Sequence, residues 1–283
     1  MRRTDVGATM DLHIDIDGVR LAYDDEGQGP VLLCLHAIGH GARDFADLRR
    51  RFKDQFRVIA LDWPGQGNSE QDREPASVTR YTRLLTLFVE KLNLGPIILL
   101  GNSIGGTTSI RYAHEHPEKV AQLVLVNSGG LDRVDTVTRT VTRIMAAFFR
   151  AGARGARWFP RAFGMYYRMV LPEPAAHEQR ERIIASSTEI ASILAEAWQS
   201  FGDASSDQRA MARALRCPVF VAWAKNDRIL QLKRNLPGIR SIHNVRFETF
   251  PGGHAPFLEC PEEFASALAT FLDETATGRA AVA

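Results

Sequence analysis

A serine at the centre of a glycine-rich turn is the first candidate for chemistry in this sequence. Ser103 lies within G-N-S-I-G-G (Gly101–Gly106), directly after the apolar run Pro96–Leu100 and directly before a helical pattern. Between a strand and a helix, G-x-S-x-G forms a sharp turn that exposes the serine hydroxyl. Side chains two positions before and after the serine would collide in such a turn, which explains the glycines. The pattern predicts that Ser103 is a nucleophile.

A serine hydroxyl becomes a useful nucleophile only when a base takes its proton and a third group orients that base. Asp227 follows the apolar run Val219–Trp223, and His254 follows the alternating segment Val245–Phe250 through a turn with two glycines. Both lie at the carboxyl ends of predicted strands, the edge at which the serine is also expected. We interpret His254 as the base and Asp227 as the acid that orients it, with Asp132 as an alternative acid.

Backbone N–H groups can stabilise the negative charge that develops on a carbonyl oxygen under attack. One such group follows the nucleophile directly, and another comes from the loop L-H-A-I-G-H-G (Leu35–Gly41) after an early strand. The amides of Ile38 and Ile104 are therefore predicted to form an oxyanion hole. His36, in the same loop, is interpreted as a structural residue that makes hydrogen bonds.

Four further side chains are predicted to line the substrate pocket, and the expected partner is a small-molecule substrate. His40 belongs to the oxyanion loop, and Asn102 precedes the nucleophile. Phe148 and Trp158 come from an aromatic-rich segment in the middle of the chain.

Strands that alternate with helices surround these residues and predict an α/β fold with a mostly parallel sheet. Continuous apolar runs indicate strands that are covered on both faces. The pattern changes between about Leu131 and Leu215, where no strand-like run occurs. We therefore expect a helical insertion at 131–215 and a sheet domain formed by 1–130 and 216–283.

Composition excludes several functional classes. The 35 basic and 33 acidic residues of the 283 give a formal charge of +2, which does not favour a nucleic-acid partner. No apolar stretch approaches the ~18 residues of a membrane span. Three cysteines favour a reduced, cytoplasmic setting. No cofactor or metal motif is present, and a homo-oligomer is compatible with the sequence.

Together these motifs resemble the α/β-hydrolase fold superfamily. Asp62–Ser69 is similar to its D-x-x-G-x-G-x-S turn, and Gly253–Glu259 is similar to its histidine segment. The resemblance implies a mostly parallel eight-stranded sheet with helices on both faces. It also implies that the insertion is a helical cap that sets substrate choice. Ala37 is a departure, because most relatives have glycine there.

Serine as the nucleophile argues against the dehalogenases and epoxide hydrolases of this superfamily, which use aspartate. The expected function is a serine hydrolase that cleaves a small carboxylic ester or lactone through an acyl-enzyme. A carbon–carbon hydrolase of ring-cleaved aromatic products is the first alternative, because Gly101–Gly106 and Asn127–Gly130 resemble that branch. Ala255 departs from it, since the branch usually has tryptophan there. A non-catalytic homologue that binds a small molecule, and a cofactor-free peroxidase or oxygenase, are further alternatives.

The expected helical insertion also contains an excess of arginine over acidic residues. A solvated helix face, an anionic substrate and an acidic lipid surface all remain open as explanations. The residues, at spacings of 3, 4 or 7 with no Asp or Glu between them, are Arg139, Arg143, Arg150, Arg154, Arg157, Arg161 and Arg168.

Overall fold

An eight-stranded sheet forms the centre of the computed structural model, which describes residues 12–280. The predicted sheet domain also included residues 1–11 and 281–283, which lie outside the described part. The strands are β1 (Leu12–Ile16), β2 (Val19–Glu26), β3 (Val31–Leu35), β4 (Arg57–Leu61), β5 (Ile97–Asn102), β6 (Val120–Val126), β7 (Val219–Ala224) and β8 (Val245–Phe250).

The strand order is β1-β2-β4-β3-β5-β6-β7-β8. Strand β2 runs antiparallel to β1 and β4, and all other neighbouring pairs are parallel. Every residue of β5 and of β7 is buried, as expected for strands covered on both faces. The predicted mostly parallel α/β sheet is thereby confirmed.

The antiparallel edge of the sheet begins with a hairpin formed by β1 and β2. Asp17 and Gly18 connect the two strands with φ angles of 49° and 83°, and Ile16 pairs with Val19. Two successive positive φ angles are typical of the type I′ turn, whose twist suits antiparallel neighbours.

Within the described residues, eleven α-helices accompany the strands, and several pack directly on the sheet. They are α1 (Ala46–Phe52), α2 (Val78–Lys91), α3 (Ile104–Glu115), α4 (Thr136–Ala153), α5 (Phe159–Val170), α6 (His177–Ala185), α7 (Ala191–Ser200), α8 (Arg209–Arg213), α9 (Leu232–Arg240), α10 (Pro256–Glu259) and α11 (Pro261–Ala280). Helix α3 contacts β5 and β6, and α11 contacts β7 and β8. None of the described helices is both long enough and apolar enough to cross a bilayer.

Helices α4 to α8 all lie between β6 and β7, in a segment (residues 127–218) that contains no strand. We call it the inserted segment. Asp135 caps the start of α4 by accepting a 2.9 Å hydrogen bond from the amide of Thr138. Helix α4 packs along α7, and the rings of Phe149, Phe159 and Phe163 pack against one another between the helices. The sequence predicts a helical insertion in this part of the chain, and its bounds of 131–215 stay a prediction.

Candidate active site

Ser103 occupies the turn between β5 and α3. Its backbone conformation, with φ of 56° and ψ of −113°, is one that residues other than glycine rarely adopt. The surrounding glycines make the turn possible. A Cβ on Gly101 would lie 2.4 Å from the backbone of Gly105, and a Cβ on Gly105 would lie 2.4 Å from the carbonyl oxygen of Leu35. The strained turn holds Ser103 at the N-terminus of α3, where the helix dipole favours negative charge.

His254 and Asp227 form a buried pair beyond the carboxyl ends of β8 and β7. Because an ionised carboxylate can only accept, His254 Nδ1 donates to Asp227 Oδ2, at 2.8 Å. The other oxygen, Asp227 Oδ1, accepts the amides of Ile229 at 2.7 Å and Leu230 at 2.9 Å. Since Nδ1 is engaged, Nε2 is the ring nitrogen that remains for proton exchange with a reacting group.

Asn127 supports this pair from the end of β6. Its Nδ2 donates to Asp227 Oδ2 at 2.6 Å, and its Oδ1 accepts the amide of Ala224 at 2.9 Å. In the sequence, Asn127 stands out only as part of the resemblance of Asn127–Gly130 to the carbon–carbon hydrolases. Its sequence signal is weak, because the residue lies 100 positions before its carboxylate partner.

Glu259 is a second supporting residue, and the sequence gives it no predicted role of its own. Its buried carboxylate accepts the backbone amides of Gly253 at 2.9 Å, His254 at 2.8 Å and Ala255 at 3.0 Å. Three charge-assisted hydrogen bonds on consecutive amides fix the loop that presents the imidazole. A glutamate five positions after the histidine is the local signal by which it could have been found.

The pKa of His254 is raised above the ordinary value for histidine. Burial alone would lower the pKa, because it disfavours the charged ring. The negative charge of Asp227 and its hydrogen bond outweigh the effect of burial and raise the pKa. The charge of Glu259 raises the pKa further. The pair is therefore suited to accepting a proton and holding it as an imidazolium.

The loop after β3 places two backbone amides near the serine. Within the described residues, the amides of Ile38 and Ile104 have no protein acceptor, and both residues line the cavity that contains Ser103. The amide of Gly39 donates to Gln66 Oε1 at 2.6 Å, which fixes the loop to the turn after β4. This geometry is compatible with an oxyanion hole.

His36 is fully buried and makes the structural hydrogen bonds expected of it. Its Nδ1 contacts the carbonyl oxygen of Ala37 at 2.7 Å, and its Nε2 accepts the amide of Trp63 at 2.9 Å. Burial lowers the pKa of His36 to about 4, so the ring stays neutral. It is thus a structural link between the loops after β3 and β4.

A cavity of about 510 Å³ lies between the carboxyl edge of the sheet and the inserted segment. Ser103 and His254 both line it, and no hydrogen bond between their side chains is present among the described contacts. Between residues 137 and 201, the inserted segment contributes a mostly apolar wall: Val137, Thr138, Val141, Thr142, Tyr166, Tyr167, Val170, Leu194, Trp198 and Phe201. Its remaining lining residues are Gly129, Gly130, Asp132, Arg133, Val134 and Ser206.

A sequence model of the alpha/beta hydrolase family matches residues 32–267. The chain belongs to this family. It is 25% identical to an uncharacterised protein of Mycobacterium tuberculosis, over 92% of this chain and 80% of the relative. It is 26% identical to 2-hydroxy-6-oxononadienedioate/2-hydroxy-6-oxononatrienedioate hydrolase 1 of Pseudomonas putida, over 83% of this chain and 85% of the relative. Its fold matches a thermophilic esterase from Thermogutta terrifontis with a TM-score of 0.80 at 24% identity, covering 94% and 99% of the two chains.

Three pocket predictions for this alpha/beta hydrolase need correction. Asn102 is fully buried and does not line the cavity, because its Nδ2 donates to the carbonyls of Val126 and His254. Phe148 and Trp158 also lie outside the cavity lining. Trp158 is 52% exposed, and its ring packs against Phe148 on the outer side of the inserted segment.

The alternative acid and the remaining pocket histidine also have defined places in this alpha/beta hydrolase. Asp132 forms an ion pair with Arg234 rather than with the histidine of the pair described above. His40 does line the cavity. Its Nδ1 is hydrogen-bonded to Asp44, whose second oxygen accepts Arg182 of α6 at 2.8 Å.

Proposed function

We propose that the chain is a serine hydrolase that cleaves a small carboxylic ester or lactone. The observation that carries the proposal is the convergence of Ser103 with the His254–Asp227 pair on one cavity at the carboxyl edge of the sheet. Family membership supports a hydrolase. The serine's strained turn and the raised pKa of His254 support nucleophilic catalysis.

In the acylation step, Ser103 Oγ attacks the carbonyl carbon while His254 Nε2 takes the hydroxyl proton. The negative charge moves to the former carbonyl oxygen, where the amides of Ile38 and Ile104 donate to it. When the tetrahedral intermediate collapses, His254 returns the proton to the departing alkoxide, and the alcohol leaves. Asp227 keeps its charge throughout and stabilises the imidazolium. This step requires substrate binding to bring Ser103 and His254 within hydrogen-bond reach.

In the deacylation step, His254 takes a proton from water, and the resulting hydroxide attacks the acyl carbon. The same two amides support the second tetrahedral intermediate. Collapse expels Ser103 Oγ, which recovers its proton from His254, and the carboxylic acid is released. Each oxyanion donor is expected to contribute about 10²- to 10³-fold to kcat.

The inserted segment is proposed to act as the cap, with boundaries near 131–215. Its aromatic and aliphatic side chains form much of the cavity wall, whereas the reacting groups come from the sheet. Substrate selection would then depend on residues such as Tyr166, Leu194 and Trp198. His40, held by Asp44, is proposed to offer its Nε2 to a polar group of the substrate.

Labelling with a fluorophosphonate probe tests the nucleophile directly. The wild type should be labelled at one site, and Ser103→Ala should not be labelled. Ser109→Ala is the matched control, because Ser109 is a buried serine of α3 whose hydroxyl is already bonded to the carbonyl oxygen of Gly105. Labelling that survives in Ser103→Ala would contradict the assignment. Absence of any burst with activated esters would favour the non-catalytic alternative.

Carbon–carbon hydrolysis is kept as the second candidate because of two observations. The Pseudomonas putida relative is named as a hydrolase of dienedioate and trienedioate substrates. In addition, Arg228 lines the cavity and, within the described residues, has no carboxylate partner. A guanidinium at that place could bind a substrate carboxylate. Ala255 and the Ala37-Ile38 pair in the oxyanion loop weigh against this candidate.

A further inference from the structure

The surface of α4 and α5 differs from the rest of the described protein in its exposed apolar side chains. All of the large hydrophobic residues that are exposed in the described part of the chain belong to residues 136–170, and we call the exposed side chains of this range the α4–α5 surface. They are Val137, Val141, Ile144, Trp158 and Met165, with exposed fractions of 48% to 73%. Exposed apolar side chains concentrated in one part of a protein surface typically mark an interaction site.

The apolar residues of α4 form a stripe that starts at the cavity. Val137, Val141, Ile144 and Phe148 follow at spacings of 4, 3 and 4, which places them on one side of the helix. Val137 and Val141 are exposed and also line the cavity, so they lie at its mouth. At the far end, the Phe148 ring lies 5.8 Å from the ring of Trp158.

The same range has a strong excess of positive charge. At 100° per residue, Arg139, Arg143 and Arg150 lie on a different side of α4 from the apolar stripe. Arg154, Arg157 and Arg161 instead lie within four residues of Trp158. Residues 136–172 contain seven arginines and no Asp or Glu, and all seven arginines are exposed. Arg168 lies 3.5 Å from Glu181. Within the described residues, the other six have no carboxylate partner: Arg139, Arg143, Arg150, Arg154, Arg157 and Arg161. An ordinary solvated helix face would be expected to mix charges of both signs.

We propose that the α4–α5 surface docks on an anionic lipid bilayer, with the cavity mouth at the membrane. Ile144, Trp158 and Met165 would enter the headgroup region, as apolar side chains of interfacial helices do. Arginines such as Arg154 and Arg157, on either side of the turn before Trp158, would contact lipid phosphates. Basic residues next to an anionic bilayer each contribute to binding. The proposal concerns binding and does not depend on ester hydrolysis.

Charge complementarity favours this occupant over a second copy of the chain. In a twofold dimer formed through this surface, the unpaired arginines of both copies would face one another, and like charges oppose such contact. An anionic bilayer supplies the missing negative charge over a broad area. Its acyl region also accepts the apolar stripe, which a soluble anion would leave exposed.

Vesicle co-sedimentation tests the proposal. The probes are vesicles of phosphatidylcholine alone and of phosphatidylcholine with 30% phosphatidylglycerol, and the protein is the full chain with Ser103→Ala, which removes any turnover. We expect binding to the anionic vesicles, at least tenfold weaker binding to the neutral ones, and release at 0.5 M salt because the charges are screened.

Two variants locate the contact. Arg154→Gln/Arg157→Gln should weaken binding to anionic vesicles roughly 10-fold or more, and Trp158→Ser should also weaken it. The matched control is Arg216→Gln/Arg240→Gln, which removes two exposed arginines near the amino ends of β7 and β8 and should bind as the parent does. The same substitutions are also made in the protein that retains Ser103. These variants should hydrolyse a short soluble ester at the wild-type rate.

Three outcomes would overturn the proposal. They are no binding to anionic vesicles, equal loss in the control variant, and a dimer in light scattering that Trp158→Ser dissociates. The last would assign the surface to self-association. Failure of the proposed ester hydrolysis would appear separately, as absent turnover with vesicle binding intact.

Discussion

Asn127 and Asp227 are joined by a 2.6 Å hydrogen bond to Asp227 Oδ2, the oxygen that also accepts His254 Nδ1 at 2.8 Å. One oxygen therefore receives two donors that approach from different strand ends. Because Asn127 is itself fixed through the amide of Ala224, its hydrogen bond helps to hold the carboxylate beside the imidazole. We assign it the part of a positioning residue.

Asn127→Gly tests that role without adding backbone strain, because Asn127 has a positive φ of 39° that glycine tolerates. A hydrogen bond to a charged group contributes about 1.5–3 kcal/mol, so kcat should fall about 10- to 150-fold while KM changes little. Asn93→Gly is the matched control, since Asn93 also has a positive φ, of 49°, and is exposed after α2. Unchanged kcat in Asn127→Gly would contradict the assignment.

The pH dependence of activity should reflect the raised pKa of His254. The base must be neutral, so kcat/KM is lost as pH falls through that pKa. Because Asp227 raises it despite burial, the midpoint of the acid limb should lie above the ~6.5 of an ordinary histidine. Steady-state rates with 4-nitrophenyl acetate between about pH 5 and 9 measure it. A midpoint at or below ~6.5 would show that burial prevails.

Glu259→Gln should shift this limb toward lower pH. The substitution removes a negative charge that raises the pKa of His254, and it replaces the carboxylate that accepts three consecutive amides. We also expect the free energy of unfolding to fall by about 1–3 kcal/mol. Glu263→Gln, an exposed neighbour in α11, serves as the control for both the pH profile and thermal unfolding. Identical profiles for the two variants would exclude an electrostatic role of Glu259.

Gly101→Ala should reduce kcat by at least about 100-fold. Its Cβ would lie 2.4 Å from the backbone of Gly105, so the turn must move, and even a 1 Å displacement of a reacting group costs about that much. Gly164→Ala is the control, because its Cβ would approach only side-chain atoms, at 3.1 Å or more. Activity of Gly101→Ala within about threefold of wild type would mean that the turn is not a tight constraint.

The features that the structure shows as predicted depend on local backbone geometry. The turn around Ser103 follows from glycines at fixed spacings, and it has the positive φ of such a turn. His254 and Asp227 lie together because loops after parallel strands meet at one edge. The catalytic roles of these three residues stay predictions.

The predictions that failed concern tertiary contacts. Asn102 precedes the nucleophile, yet its side chain points into the protein and bonds to two carbonyls, because successive side chains of a strand lie on opposite faces. Aromatic content suggested pocket walls at Phe148 and Trp158, but composition does not indicate which side of a helix faces the cavity. Asn127 was missed because its partner lies far away in sequence.

Ester cleavage and carbon–carbon cleavage place different demands on the site. Carbon–carbon cleavage of a dienoate needs ketonisation and a stabilised carbanion-like leaving group, and so requires more polar support than ester cleavage. Ala37 and Ala255 provide no polar side chain for this purpose. We therefore expect kcat/KM for the best short ester to exceed that for a ring-cleaved dienoate by orders of magnitude, since each ~1.4 kcal/mol is tenfold.

Arg228→Gln makes this comparison sharper. Arg228 is exposed at the cavity, and the described residues provide it with no carboxylate partner. If neutral esters are the substrates, the variant should keep their kcat/KM within about threefold, whereas a dienoate that uses the guanidinium should lose tenfold or more. Arg213→Gln, an exposed arginine of α8 outside the cavity lining, is the matched control. Two results together would establish carbon–carbon hydrolysis instead. The wild-type kcat/KM for the dienoate would exceed that for every ester tested, and Arg228→Gln, but not Arg213→Gln, would reduce it. Only the dienoate brings a carboxylate for Arg228 to bind.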